Sequence, residues 1–211
     1  MLKRKTMKRI LTIQVLLLLV MASSVSCSLG PNLLPNGSFE IASEVGGDPS
    51  GWHATRVPQT ANFVKFGAVE SGFHSGRRSA FIEIDSAHPT EVKLDPQYVA
   101  NRIDYNWTIQ TTDCKPGGLY VLSGWIKAQD LKAPAFIMVQ CIGNIEKYQV
   151  LGYGSTERDY PVLGTSDWTR VATVFSVPEG TVAVRLRAGI SSPQNIGGKA
   201  WFDNIQIREL R

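Results

Sequence analysis

Asn32-Leu33-Leu34-Pro35-Asn36-Gly37-Ser38-Phe39-Glu40, near the start, is answered near the finish by Lys199-Ala200-Trp201-Phe202-Asp203-Asn204-Ile205-Gln206-Ile207. Each stretch sets one carboxylate, Glu40 or Asp203, inside an apolar run of strand-like composition, where an unpartnered charge is costly. A cation shared by both ends of the domain is one simple answer. The other is that Glu40 pairs with a basic residue such as Arg78, while Asp203 caps a turn.

Upstream of the first stretch the chain changes character. Residues 1–26 hold Lys3, Arg4, Lys5, Lys8 and Arg9, no acidic residue, then an apolar stretch and small residues before Cys27. That order is a secretory leader, and its apolar part is shorter than the ~20 residues of a spanning helix. Val25-Ser26-Cys27 is similar to a bacterial lipobox, with Ser24 where leucine is usual. The expectation is a signal peptide over 1–26, lipidation of Cys27, a short tether over 27–31 and one domain over 32–211, exported and held on the bacterial cell envelope. The whole chain carries +4. The leader holds five basic residues and no acidic one, so the remainder is close to neutral, at about −1 (4 − 5). A nucleic-acid partner would need a basic face, and none is left.

Downstream, alternation dominates. Ala80-Phe81-Ile82-Glu83-Ile84 alternates, and so does Val182-Ala183-Val184-Arg185-Leu186-Arg187-Ala188. The runs 119–126, 136–142 and 168–177 are rich in aromatic and β-branched residues, and Lys115-Pro116-Gly117-Gly118, Pro178-Glu179-Gly180 and Gly197-Gly198 punctuate them. No helical period is sustained. Strands at this spacing without intervening helices predict an all-β fold, an antiparallel β-sandwich or jelly roll. Residues 43–61, 86–103 and 154–166 read as long loops. Cys114 and Cys141 are open to a disulfide in an exported protein, or to burial as small hydrophobes.

The ordered landmarks resemble those of carbohydrate-binding modules of families 4, 9, 16 and 22, within the galactose-binding-like jelly rolls. The run 32–40 is similar to their opening signature. Gly51-Trp52, His74-Ser75-Gly76-Arg77-Arg78, Gln110, Lys115-Pro116-Gly117-Gly118-Leu119-Tyr120, Ser123-Gly124-Trp125-Ile126-Lys127 and Trp201-Phe202-Asp203-Asn204 follow in register with the rest. The resemblance implies a structural calcium tying the first strand to the last, held by Glu40 and Asp203 with backbone carbonyls near Ser75 and Arg78. Calcium takes six to eight oxygen ligands, so the chemistry is reasonable.

It also implies a sugar-binding surface on the concave face of one sheet or its rim. Aromatic platforms and polar side chains are the parts such a surface needs. The candidates are Tyr105, Trp107, Gln110, Gln140, Tyr148, Arg185 and Arg187, with the two arginines on the face opposite Val182, Val184, Leu186 and Ala188. Trp168 and Trp201 are expected in structural positions. Catalytic signatures are thin: His53, His74 and His88 lack metal-ligand spacing, and no nucleophile elbow, P-loop or zincin motif occurs. The expected role is non-catalytic carbohydrate binding by a monomeric, lipid-anchored envelope protein. The alternatives are a structural or protein-binding lipoprotein on the same fold, or a small glycan-active enzyme.

Overall fold

The computed structural model describes residues 28–44, 48–92 and 103–211. The leader and Cys27 lie outside the described residues. The first strand, β1 (Leu29–Asn32), takes up most of the segment expected to be tether, and it pairs with the last strand, β10 (Lys199–Leu210). At their ends Ser28 and Arg211 exchange two backbone hydrogen bonds, 3.0 and 2.9 Å.

Between them lie β2 (His53–Ala54), a short 3-10 helix (Pro58–Phe63), β3 (Val64–Val69), β4 (Ser79–Ile84) and β5 (Ile103–Thr111). Then come β6 (Leu119–Asn144), β7 (Gln149–Ser155), β8 (Val162–Ser176) and β9 (Ala183–Ser192). Every pairing is antiparallel. One layer runs β3-β4-β10-β6-β8, with β1 beside β10; the other runs β2-β5-β9-β6-β7.

One strand belongs to both layers. The first half of β6 pairs with β10 and β8, and its second half with β9 and β7. The two runs read in the sequence as separate strands are therefore a single 26-residue strand. It turns the corner through three register shifts against β8 and through Asp130, which sits at φ 57°. Bulges bend a strand in this way without ending it. Asn195 Oδ1 holds the corner, accepting the N–H groups of Lys132 and Ala133 at 2.9 Å each.

The core lies between the layers. Leu122, Ile126, Phe202 and Ile207 come from one, and Tyr105, Trp107, Ile137, Val139, Leu186 and Ile190 from the other; all are fully buried. Trp107 joins the two directly, its Nε1–H donating to the Phe81 carbonyl at 3.1 Å. Cys114 and Cys141 are free and buried in this core. Burial pushes both thiols up, Cys114 to about 12.

Candidate functional site

Two places answer the sequence expectations: a clasp where the ends of the domain meet, and a polar face on the second layer.

At the clasp, Glu40 and Asp203 converge on one loop, residues 72–78. Glu40 Oε1 accepts the backbone N–H groups of Arg77 and Arg78, at 2.9 and 3.1 Å. Asp203 Oδ2 accepts those of His74 and Ser75, at 3.0 and 3.1 Å, and Oδ1 accepts the N–H of Asn204 at 2.7 Å. Successive peptide N–H groups aimed at one oxygen form an anion-binding nest. Gly76 makes the loop possible: it sits at φ 70°, and a Cβ there would stand 2.2 Å from Glu40 Oε1. Asn204 Nδ2 adds a bond to Ser75 Oγ, and His74 stacks on Trp125 with 3.7 Å between centroids.

Asp203 is fully buried, and burial raises its carboxyl above the usual range against the pull of the Ser75, Asn204 and His74 N–H groups. Calcium needs oxygen donors turned toward it. Here the loop turns N–H groups toward both carboxylates, so the donors as arranged do not fit a calcium ion. The charges of half-buried Glu40 and fully buried Asp203 are met by peptide donors instead. Arg78 meets Glu40 with its backbone N–H.

The polar face is carried by β5, β9, β6 and β7. In β9 the residues Val184, Leu186, Ala188 and Ile190 are buried, which leaves Arg185 and Arg187 outward as the alternation predicts. Val182 is the exception: it precedes the strand and is 52% exposed. Register then builds a row across four strands, because residues paired across an antiparallel ladder share a face. Gln110 stands opposite Arg185, Arg185 opposite Gln140, and Gln140 opposite Tyr153.

Tyr148 roofs this row from the turn before β7. Its ring lies over the Arg185 guanidinium at 4.9 Å, and its hydroxyl donates to Gln140 Oε1 at 2.5 Å. The turn aims it there by holding Tyr148 at φ 48°, with the Tyr148 N–H bonded to the Ile145 carbonyl and the Lys147 N–H to Asn144 Oδ1. A non-glycine residue in that region costs about 1–3 kcal/mol and persists only where its surroundings over-determine it. Tyr148 and Tyr153 are 43% and 69% exposed, so two aromatic rings are open to solvent on this face.

Two candidates do not belong to it. Tyr105 and Trp107 are fully buried. Strand parity is the reason: in β5 Gln110 points outward, so the odd-numbered 105, 107 and 109 point inward. Trp107 packs edge-on against Phe66 at 5.4 Å, and the Tyr105 hydroxyl lies 2.7 Å from both His88 Nε2 and Thr60 Oγ1. Tyr105 is accordingly shifted upward by burial. Arg187 reaches the face but is already engaged: Nε donates to Asn106 Oδ1 at 3.2 Å, and its guanidinium pairs with Asp104 at 3.6 Å. Tyr153, which the sequence places after the Gly143-Asn144 turn with Tyr148, completes the row although it is not among the candidates singled out for the face. The signal for it was weak, since its place depends on the β6–β7 register.

The first layer also carries outward aromatics. A shallow depression of 260 Å³ beside Trp201 is lined by Lys127, Gln129, Ser166 and Asp167. Its aromatic wall is covered, however: Lys199 Nζ lies 4.9 Å from the Trp201 ring and 4.4 Å from that of Phe81. The polar face of the second layer is the better prepared of the two.

The architecture is an antiparallel β-sandwich jelly roll, a fold found in solved carbohydrate-binding modules. Among solved structures the chain is similar to the CBM22-1 xylan-binding domain from Paenibacillus barcinonensis Xyn10C, with a TM-score of 0.53 and 18% identity, covering 86% of this chain and 96% of that one. It is similar to TmCBM61, solved with β-1,4-galactotriose, at TM-score 0.53 and 15% identity over 84% and 98%. No protein-family model matches the chain. By sequence it is 26% identical, over 189 residues and 89% of its length, to the tRNA nuclease WapA of Bacillus subtilis. It spans only 7% of the length of that protein.

Proposed function

We propose that this protein binds saccharide without transforming it, on the outer face of β5, β9, β6 and β7. The observation that carries this reading is the row Gln110–Arg185–Gln140–Tyr153 roofed by Tyr148. Rings exposed on a rigid sheet give sugar faces something to stack on, and amide and guanidinium groups beside them meet hydroxyls. The fold shared with the xylan-binding and galactotriose-bound modules supports the same reading. Lipidation at Cys27 would hold the domain on the cell envelope.

A glycan array probed with the mature protein tests the function. Binding that Gln140→Ala and Tyr153→Ala each weaken is expected. An array with no saccharide bound would move the reading to a structural or protein-binding role. Reducing-sugar release from any bound polymer would make it an enzyme. Labelled palmitate retained on the protein in growing cells tests the anchor.

A further inference from the structure

We infer that the saccharide this face takes is acidic, with a uronate carboxylate seated on the Arg185 guanidinium. The inference rests on the saccharide-binding reading above and narrows it to a substrate class.

The two outward arginines of β9 have different surroundings. Arg187 is neutralised by Asp104 and hydrogen-bonded to Asn106. Asp104 is itself fixed by the Ser191 hydroxyl at 2.6 Å, and Asn106 by the Thr55 hydroxyl at 3.1 Å, so Arg187 belongs to the framework. Arg185 is two residues away, on the same face, and no carboxylate of the described residues pairs with it. Its structural contact is the π-face of Tyr148. Among the described residues its guanidinium N–H groups have no hydrogen-bond partner. A planar fork of donors is matched bidentately by a carboxylate.

The neighbours in the row have the same bias. Tyr148 donates to Gln140 Oε1, which occupies the acceptor of that amide and leaves its NH₂ to donate outward. Gln110 is exposed on the other side of Arg185, and Tyr153 presents a phenolic hydroxyl beyond Gln140. The row therefore offers one uncompensated positive charge among N–H and O–H donors, and no carboxylate. The roof turn adds one charge of each sign, Glu146 and Lys147, and does not cancel Arg185. A neutral chain would leave the fork to water. A uronate in the same place completes it, while its ring stacks on an exposed tyrosine.

The test is affinity electrophoresis and titration of the mature protein on polygalacturonate, alginate and glucuronoxylan, each beside its carboxyl-reduced counterpart and beside a sulfated neutral galactan. The expected result is binding to at least one acidic polymer that falls about tenfold or more on carboxyl reduction. Arg185→Gln should lose that difference while keeping the wild-type melting temperature, and Lys65→Gln on the opposite layer should change nothing. Added salt should weaken the wild type and leave Arg185→Gln almost unaffected. Equal binding to acidic and reduced polymers, or preference for the sulfated galactan alone, overturns the inference and leaves the saccharide reading standing. Binding to none of the polymers, with none on the glycan array, removes both.

Discussion

Replacing Asp203 by alanine tests how the two ends of the domain are joined. The substitution leaves three peptide N–H donors, of His74, Ser75 and Asn204, without their charged acceptor. A donor that loses its partner costs about 1–3 kcal/mol, and the value is toward the low end where water can reach the loop. Part is returned, because Asp203 is fully buried and its ionised form is disfavoured there. The balance is a loss of about 2–4 kcal/mol, which for a domain of this size lowers the melting temperature by roughly 5–15 °C. Thermal unfolding measures it, and amide exchange at residues 74, 75 and 204 should quicken. The dependence on pH has a definite sign. Burial raises the carboxyl of Asp203 above its ordinary 3.8, so the folded protein holds the proton more tightly than the unfolded chain does. That contribution to stability is complete below the unfolded value and is lost as pH rises through the folded one. The stability of wild type relative to Asp203→Asn should therefore fall as pH rises across that window. A melting temperature within about 2 °C of wild type in Asp203→Ala, with unchanged exchange at those amides, would refute the account of the clasp.

Chelation with EDTA should leave the melting temperature unchanged, since peptide donors serve both carboxylates; a drop of several degrees would mean that the loop can present carbonyl oxygens to an ion. Trp107→Ala should cost about 3–5 kcal/mol by chemical denaturation, as a buried aromatic truncation does, whereas Trp107→Phe should keep saccharide binding at full affinity. Loss of binding in a folded Trp107→Phe would return that residue to the site. Gly37→Ala should be severely destabilising, because the added Cβ would stand 1.9 Å from the Ile205 carbonyl oxygen, which the backbone of Gly37 must approach to accept the Ile205 N–H at 2.8 Å. A soluble, wild-type-like Gly37→Ala would show that β10 can shift. At pH 8 iodoacetamide should label Cys114 and Cys141 only on unfolding, since burial raises both thiols; rapid labelling of the native protein would contradict their placement.

The architecture was legible where side-chain period decides it. Alternation in 183–188 places both arginines outward, and the apolar runs are strands. Parity separates the β5 candidates: 105, 107 and 110 cannot lie on one face of a regular strand, so Gln110 and Trp107 are rivals. The corner of β6 was hidden because Gln129-Asp130-Leu131-Lys132-Ala133-Pro134 has the composition of a loop. It stays extended because bulges and the Asn195 amide hold it. Tyr153 could not be placed, since the β6–β7 register shifts at Cys141, Ile142 and Asn144. At the clasp the sequence named both carboxylates but not their partners. Those partners are backbone amides, whose direction no side chain states, although Gly76 hinted at an unusual turn.

The bonded pair Ser28 and Arg211 has a mechanical consequence. Ser28 and Arg211 lie side by side, so a pull applied to these two residues parts them from one point, as at the neck of a bag. Tension drawn through that neck pulls the two strands apart in peeling geometry. The backbone bonds joining Ser28 to Arg211 bear it first, and Leu29 opposite Leu210 next. Only a few bonds resist at a time, so β1 should yield under modest force while the core behind it stays closed. A load applied instead between Ser28 and the outer face of β9 must cross the whole sandwich. The same domain is then soft to one direction of pull and stiff to the other.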